Sequence, residues 1–111
     1  MKLRIISCEI LEQYLKRDDI LLLDLRDRAA YEQEHIPNAI WVDWEKIEED
    51  IPRLLSSIGF FPSWIILYCE HGNTSLLIAR DLARNGYPVI SLNGGFSYWK
   101  KHRQFNENNY M

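Results

Sequence analysis

Cys69 closes a short apolar run, Trp64-Ile65-Ile66-Leu67-Tyr68, and is followed by Glu70-His71-Gly72-Asn73-Thr74-Ser75 and an amphipathic segment that opens with Leu76-Leu77. This order places a thiol at the carboxyl end of an expected strand and at the mouth of an expected helix. The N–H groups of a first helical turn lack partners within the helix and attract anions. A thiolate, a persulfide, a sulfate-like oxyanion or a phosphate would be stabilised there. A cysteine in such a field is held toward the thiolate, which is the nucleophilic form. The residues therefore point to covalent chemistry at Cys69, with the loop backbone as an anion nest. Gly72 suits a loop curling tightly around one atom, because glycine tolerates positive φ and close backbone approach. Thr74 and Ser75 add hydroxyl donors, and Ser75 is also a candidate helix N-cap.

The elements that must position this loop alternate regularly. Lys2 to Ser7 reads as a first strand, and Ser7 can cap a helix over Glu9 to Leu15, whose apolar residues 10, 11, 14 and 15 share a face. Ile20 to Leu25 is an apolar run bounded by charges, as expected of a strand covered on both faces. Arg28 to Glu34 is a short helix that must stop before Pro37. Ala39 to Val42 forms the third strand, and Trp44 to Gly59 is helical with an interruption near Pro52. Trp64 to Tyr68 is the fourth strand. Ser75 to Asn85 is a helix with Leu76, Ala79, Leu82 and Ala83 on one face and Gly86 at its stop. Val89 to Leu92, a Gly94-Gly95 turn and a helix over Phe96 to Arg103 complete a domain spanning 1–103, with a polar, frayed tail at 104–111. Alternating strands and helices imply an α/β domain with a mainly parallel five-stranded sheet, in which ligands bind at the carboxyl ends of strands. Cys69 sits at such an end.

Composition narrows the partners. With 13 basic and 16 acidic residues in 111, the net charge of -3 argues against a nucleic-acid partner. No apolar run approaches the ~20 residues that cross a bilayer, so no membrane association is expected. The opening residues lack a charged-then-apolar leader, and the expected location is cytoplasmic. Two cysteines, Cys8 and Cys69, are too few for a disulfide scaffold, and the three histidines are scattered. No metal and no cofactor are expected.

Three separated motifs resemble the rhodanese (thiosulfate sulfurtransferase) family, especially its small single-domain bacterial members. They are Leu23-Asp24-Leu25-Arg26 with Tyr31 and His35-Ile36-Pro37-Asn38-Ala39; the Cys69 to Ser75 loop; and Leu92-Asn93-Gly94-Gly95-Phe96 with Trp99. The resemblance implies a three-layer domain with helices on both faces of the sheet. It also implies an activity: Cys69 takes the outer sulfur of thiosulfate or another persulfide donor, carries it as a persulfide, and passes it to a thiophilic acceptor, either a thiol or a protein. The N–H groups of Glu70, His71, Gly72, Asn73 and Thr74 would then cradle that sulfur, with Ser75 completing the binding residues. The related phosphatases and arsenate reductases end a longer loop in an arginine that grips the oxyanion bidentately. Here the corresponding count from Cys69 lands on Ser75, which disfavours phosphoryl chemistry.

The chain also departs from the family pattern. Glu70 stands where many members carry arginine or lysine, and its charge opposes both a dianionic donor and the thiolate. That feature supports a second reading, a persulfide relay module with little small-molecule turnover. Ala30 occupies a position that usually holds a carboxylate, and Glu34 one that is commonly glycine. Asp24, Arg26 and His35 are expected to brace the strand end by hydrogen bonds, and His71 to face solvent. Gly94-Gly95 and Trp99 are expected to turn the chain and pack against the helix after Cys69. Lys100 to Arg103 are expected to form a solvated face, and Cys8 to be structural.

Overall fold

A computed structural model describes the backbone of residues 2–109 and the side chains of residues 2–104. The elements in order are β1 (Leu3–Ile6), α1 (Cys8–Leu15), β2 (Ile20–Asp24), α2 (Arg28–Gln33), β3 (Ile40–Trp41), a 3₁₀ turn (Trp44–Lys46), α3 (Ile47–Ser57), β4 (Trp64–Tyr68), α4 (Asn73–Arg84), β5 (Val89–Leu92) and α5 (Gly95–Asn109). The strands form one sheet ordered β1-β5-β4-β2-β3, and every pairing is parallel. β4 is the central strand, bonded to β2 and β5 along its length.

Covered faces explain why the central strands are apolar throughout. Side chains alternate across β4: Ile65, Leu67 and Cys69 join a cluster with Ile47 and Ile51 of α3 and Ala79, Leu82 and Ala83 of α4. Ile66 and Tyr68 join the opposite cluster, with Cys8 and Leu11 of α1 and Phe96 and Trp99 of α5. Adjacent strands β4 and β5 therefore send their following helices to opposite faces. Such a divergence opens a crevice at the carboxyl ends of the two strands, the place where parallel α/β sheets bind ligands. Cys69 follows β4 at that point.

Several element boundaries differ from the sequence reading. The α4 helix begins at Asn73, with Gly72 rather than Ser75 immediately before it. Ser75 thus lies inside the first turn and is fully buried. Pro52 sits within α3 without ending it, and the interruption falls earlier, at the 3₁₀ turn. A proline removes one helical hydrogen bond, and both Pro52 and Glu48, whose carbonyl loses its partner, are exposed to water. The last helix does not stop at Arg103 but continues to Asn109, because no proline or glycine intervenes; the remainder of the expected tail, 110–111, lies outside the described residues. Trp99 packs on the face opposite α4, since α5 crosses to that side. In α1, Leu11 is buried while Ile10 is exposed, so the apolar face is narrower than the spacing of residues 10, 11, 14 and 15 implies.

Cys8 is fully buried among the α1 and α5 side chains, on the face opposite Cys69. Burial, reinforced by the charges of Glu9 and Glu12, pushes its thiol up to about 11 from 9.0. The folded state thus retains the Cys8 proton at a pH where the unfolded chain loses it. Stability is complete below about 9 and falls as pH rises toward 11. Tyr68, whose phenol burial also raises, acts in the same direction. Urea unfolding between pH 8 and 11 should show this loss, and the loss should shrink in Cys8→Ala; an equally steep decline in the variant would exclude Cys8 as a source.

Candidate active site

The loop after β4 brings its backbone to the Cys69 sulfur. Gly72 N–H donates to Cys69 Sγ at 3.1 Å and Ser75 N–H at 3.3 Å. The thiol itself lies 3.6 Å from Ser75 Oγ, which accepts from it. Of the five backbone donors expected from 70–74, Gly72 is the one that hydrogen-bonds the sulfur among the described residues, and Ser75 supplies the other bond. Cys69 is 7% exposed, so its sulfur is almost enclosed.

The tight curl depends on two glycines. Gly72 has φ +103°, and a Cβ there would lie 3.1 Å from Gly94 N. Gly95 has φ +63°, and a Cβ would come within 2.5 Å of the Cys69 carbonyl oxygen and 2.7 Å of the Glu70 carbonyl carbon. The first turn of α5 is thus pressed against the cysteine loop and bonded to it: Phe96 N–H donates to Cys69 O at 2.9 Å and Ser97 N–H to Glu70 O at 3.0 Å. The Gly94-Gly95 turn therefore supports the cysteine loop and touches Gly72, the residue that caps α4.

A buried ionic centre fixes the other side of the loop. Arg26 Nη2 donates to Asp24 Oδ2 at 2.9 Å and also to the Glu34 carbonyl, and the Arg26 N–H donates to Asp24 Oδ1 at 2.8 Å. The guanidinium lies 3.8 Å from the centre of the Phe96 ring and 3.7 Å, at Nη1, from Glu70 Oε2. Burial works against charge on Arg26, but the hydrogen bonds and charge of Asp24 outweigh it and hold the guanidinium above its usual range. The bracing role expected of Asp24 and Arg26 is what the contacts show. Glu70 joins Asp24 as a carboxylate on this arginine, so part of the Glu70 charge is offset. Tyr68 accepts from Ile36 N–H at 3.1 Å, and the Asp24 carboxylate acts on its phenol, which extends the centre to the segment after α2.

The remaining expected residues divide. His35 Nδ1–H donates to the Tyr31 carbonyl at 2.9 Å and stacks on the Tyr31 ring. His71 is exposed, as expected, and so are Glu70 and Asn73, while Thr74 is half-buried. Lys100, Lys101 and Arg103 are on the outer side of α5; Lys100 pairs with Glu34 at 2.9 Å, and His102, 15% exposed, lies between Glu9 and Glu12. Sequence reasoning missed Ser91, which is 2% exposed and 2.9 Å from Ser75 Oγ. The signal was present: it is the one hydroxyl in the strand Val89-Ile90-Ser91-Leu92 and shares the α4-facing parity of Val89. Among the described residues no group of histidine, cysteine and carboxylate side chains is arranged to hold a metal ion.

The family model for the Rhodanese-like domain matches residues 7–102. The chain belongs to the rhodanese family. The thiosulfate sulfurtransferase GlpE of Coxiella burnetii is 35% identical over 98 residues, 87% of each chain, and that of Pseudomonas syringae is 32% identical over 79% of each. Among solved structures, a protein from Bacillus halodurans superposes with a TM-score of 0.75 at 31% identity, over 90% of this chain and 73% of that one. The thiosulfate sulfurtransferase of Pseudomonas aeruginosa gives 0.76 at 26% identity, over 89% of this rhodanese chain but 18% of that larger one. The three-layer architecture with a parallel sheet is thus that of the family. Among the described residues no helix is long and apolar enough to cross a membrane.

A matched pair of glycine variants isolates the close approach in this rhodanese site. Gly86 has φ +94° and nothing within 4 Å of where a Cβ would stand, whereas a Cβ on Gly95 meets backbone. Gly86→Ala should cost about 1 kcal/mol from φ strain alone. Gly95→Ala should cost roughly 2 kcal/mol more, because backbone must move. Urea unfolding measures both, and equal costs would show that the α5 turn does not clamp the loop.

Proposed function

We propose that this rhodanese is a sulfurtransferase that carries sulfane sulfur on Cys69. The observation that carries the reading is the pair of backbone N–H groups, from Gly72 and Ser75, aimed at Sγ within a loop that has a helix N-terminus behind it. These groups stabilise a thiolate before reaction and a persulfide anion after it. In the first step the Cys69 thiolate attacks the outer sulfur of thiosulfate, the S–S bond breaks and sulfite leaves with the bonding pair. In the second an acceptor nucleophile takes the outer sulfur and Cys69 returns as thiolate. With a thiol persulfide as donor, the departing group is the donor's thiolate instead. The backbone donors of 70–74 that do not bond Sγ remain part of the proposed cradle for the added sulfur.

Loop chemistry separates this reading from phosphoryl transfer. Ser75 occupies the place where an oxyanion-gripping arginine would be needed, and Arg26 is committed to Asp24, the Glu34 carbonyl and Glu70. Glu70, exposed beside the nucleophile, favours a second reading in which the donor is a persulfide rather than the thiosulfate dianion and the module serves as a relay.

Incubation with thiosulfate or with cysteine persulfide should add one sulfur atom to the intact protein, and Cys69→Ser should abolish the addition. Unchanged mass with both donors would overturn the enzyme and relay readings together. Sustained thiocyanate production from thiosulfate and cyanide would favour the enzyme over the relay. Glu70→Lys should raise kcat/KM for thiosulfate by roughly tenfold, the equivalent of about 1.4 kcal/mol of relieved repulsion. An unchanged value would show that Arg26 has already neutralised the Glu70 charge.

A further inference from the structure

Behind the cysteine loop lies a short chain of buried hydroxyls. Cys69 Sγ is 3.6 Å from Ser75 Oγ, and Ser75 Oγ is 2.9 Å from Ser91 Oγ. Ser75 is fully buried and Ser91 is 2% exposed, so neither depends on bulk water for its partners. The Ser75 hydroxyl has a further acceptor, the Gly72 carbonyl at 3.3 Å, and that carbonyl also accepts from Leu76 N–H at 3.3 Å.

One hydroxyl carries one proton, and this arrangement gives it two uses. While Cys69 is a thiol, S–H donates to Ser75 Oγ and the Ser75 proton goes to Gly72 O. When the thiol ionises, its proton leaves to solvent and Ser75 Oγ loses a donor. The Ser75 hydroxyl can then rotate onto the sulfur, while Ser91 O–H, which has to be the donor of this pair in both states because the Ser75 proton is used elsewhere, keeps donating to Ser75 Oγ. Gly72 O keeps its bond from Leu76 N–H, so the rotation strands no buried group. We propose that Ser91 is a positioning residue for Cys69, acting through Ser75 to supply the thiolate with a third hydrogen bond beside those from Gly72 and Ser75 N–H. No heavy atom has to move.

The other charges near the sulfur are distinct from this chain. Glu70 is paired with Arg26, Asp24 is bonded to Arg26, and His71 faces water. The first turn of α4 (Asn73, Thr74, Ser75) and the turn before α5 (Asn93, Gly94) carry no charged side chain. The proposal deepens the sulfurtransferase reading at the same site, but its test reads the thiolate directly, so the two can fail separately.

The test is the pH profile of Cys69 alkylation by iodoacetamide, with the adduct located by peptide mass. Ser91→Ala should slow alkylation at neutral pH by roughly three- to tenfold, as expected for loss of one hydrogen bond between hydroxyls behind the sulfur, while the limiting rate at high pH stays as in the parent. Ser91→Thr and Ser91→Val form a second pair, equal in shape and differing in the hydroxyl; threonine should react faster than valine at neutral pH. In a Ser75→Ala background the Ser91→Ala effect should vanish. A profile unchanged by loss of the Ser91 hydroxyl, or a lowered limiting rate with an unmoved midpoint, would overturn the proposal.

Discussion

A sulfur atom can receive two backbone hydrogen bonds from its own chain only if that chain reverses almost at once, and the first donor here comes three residues after the cysteine. The reversal imposes a left-handed residue at Gly72 and leaves the loop curled around Sγ at the N-terminus of α4. A curl so tight has little internal support. It is supplied from outside, by the Gly95 backbone pressed against the Cys69 and Glu70 carbonyls and by the Phe96 and Ser97 N–H groups bonded to them. That support exists because β4 and β5 are neighbours whose helices leave on opposite faces. The sheet order therefore acts directly on the cysteine loop: it puts the glycine turn after β5 under Cys69, which follows β4.

The second constraint is charge. An acidic residue beside a thiolate opposes it, and a buried arginine without partners is costly. The fold brings the two together: Arg26, anchored by Asp24 and the Glu34 carbonyl, reaches Glu70. The same guanidinium lies over Phe96, so the loop after β2, the exit of α2, the cysteine loop and the start of α5 share one ionic centre. A net neutral balance does not arise, since two carboxylates face one guanidinium, and the mouth of the site keeps an acidic character.

Much of this is legible in the residues because several local signals agree. The apolar strands, the loop glycine and the amphipathic segment after Cys69 point to a strand, a nest and a helix in that order. What the residues do not disclose is long-range. Nothing in Gly95 alone says that its missing Cβ leaves room for the Cys69 carbonyl, and nothing in Glu70 says that it will meet Arg26. Trp99 lies on the face opposite the expected one because the side to which α5 crosses is a property of strand order, not of the α5 sequence. The early start of α4 has the same origin, since Gly72 adopts its left-handed turn against Gly94, a residue of another strand's exit. The continuation of α5 past Arg103 is a local matter, in which the absence of a helix breaker outweighs polar composition.

The central claim, that the loop backbone exists to hold sulfur on Cys69, is tested most directly by a crystal structure of the protein after reaction with a sulfane sulfur donor. The account predicts density for one additional atom bonded to Cys69 Sγ, enclosed by the N–H groups of the 70–75 loop, with Gly72 and Gly95 in their present conformations. An additional atom on Cys8, or a Cys69 sulfur left unmodified while the loop opens away from it, would contradict it.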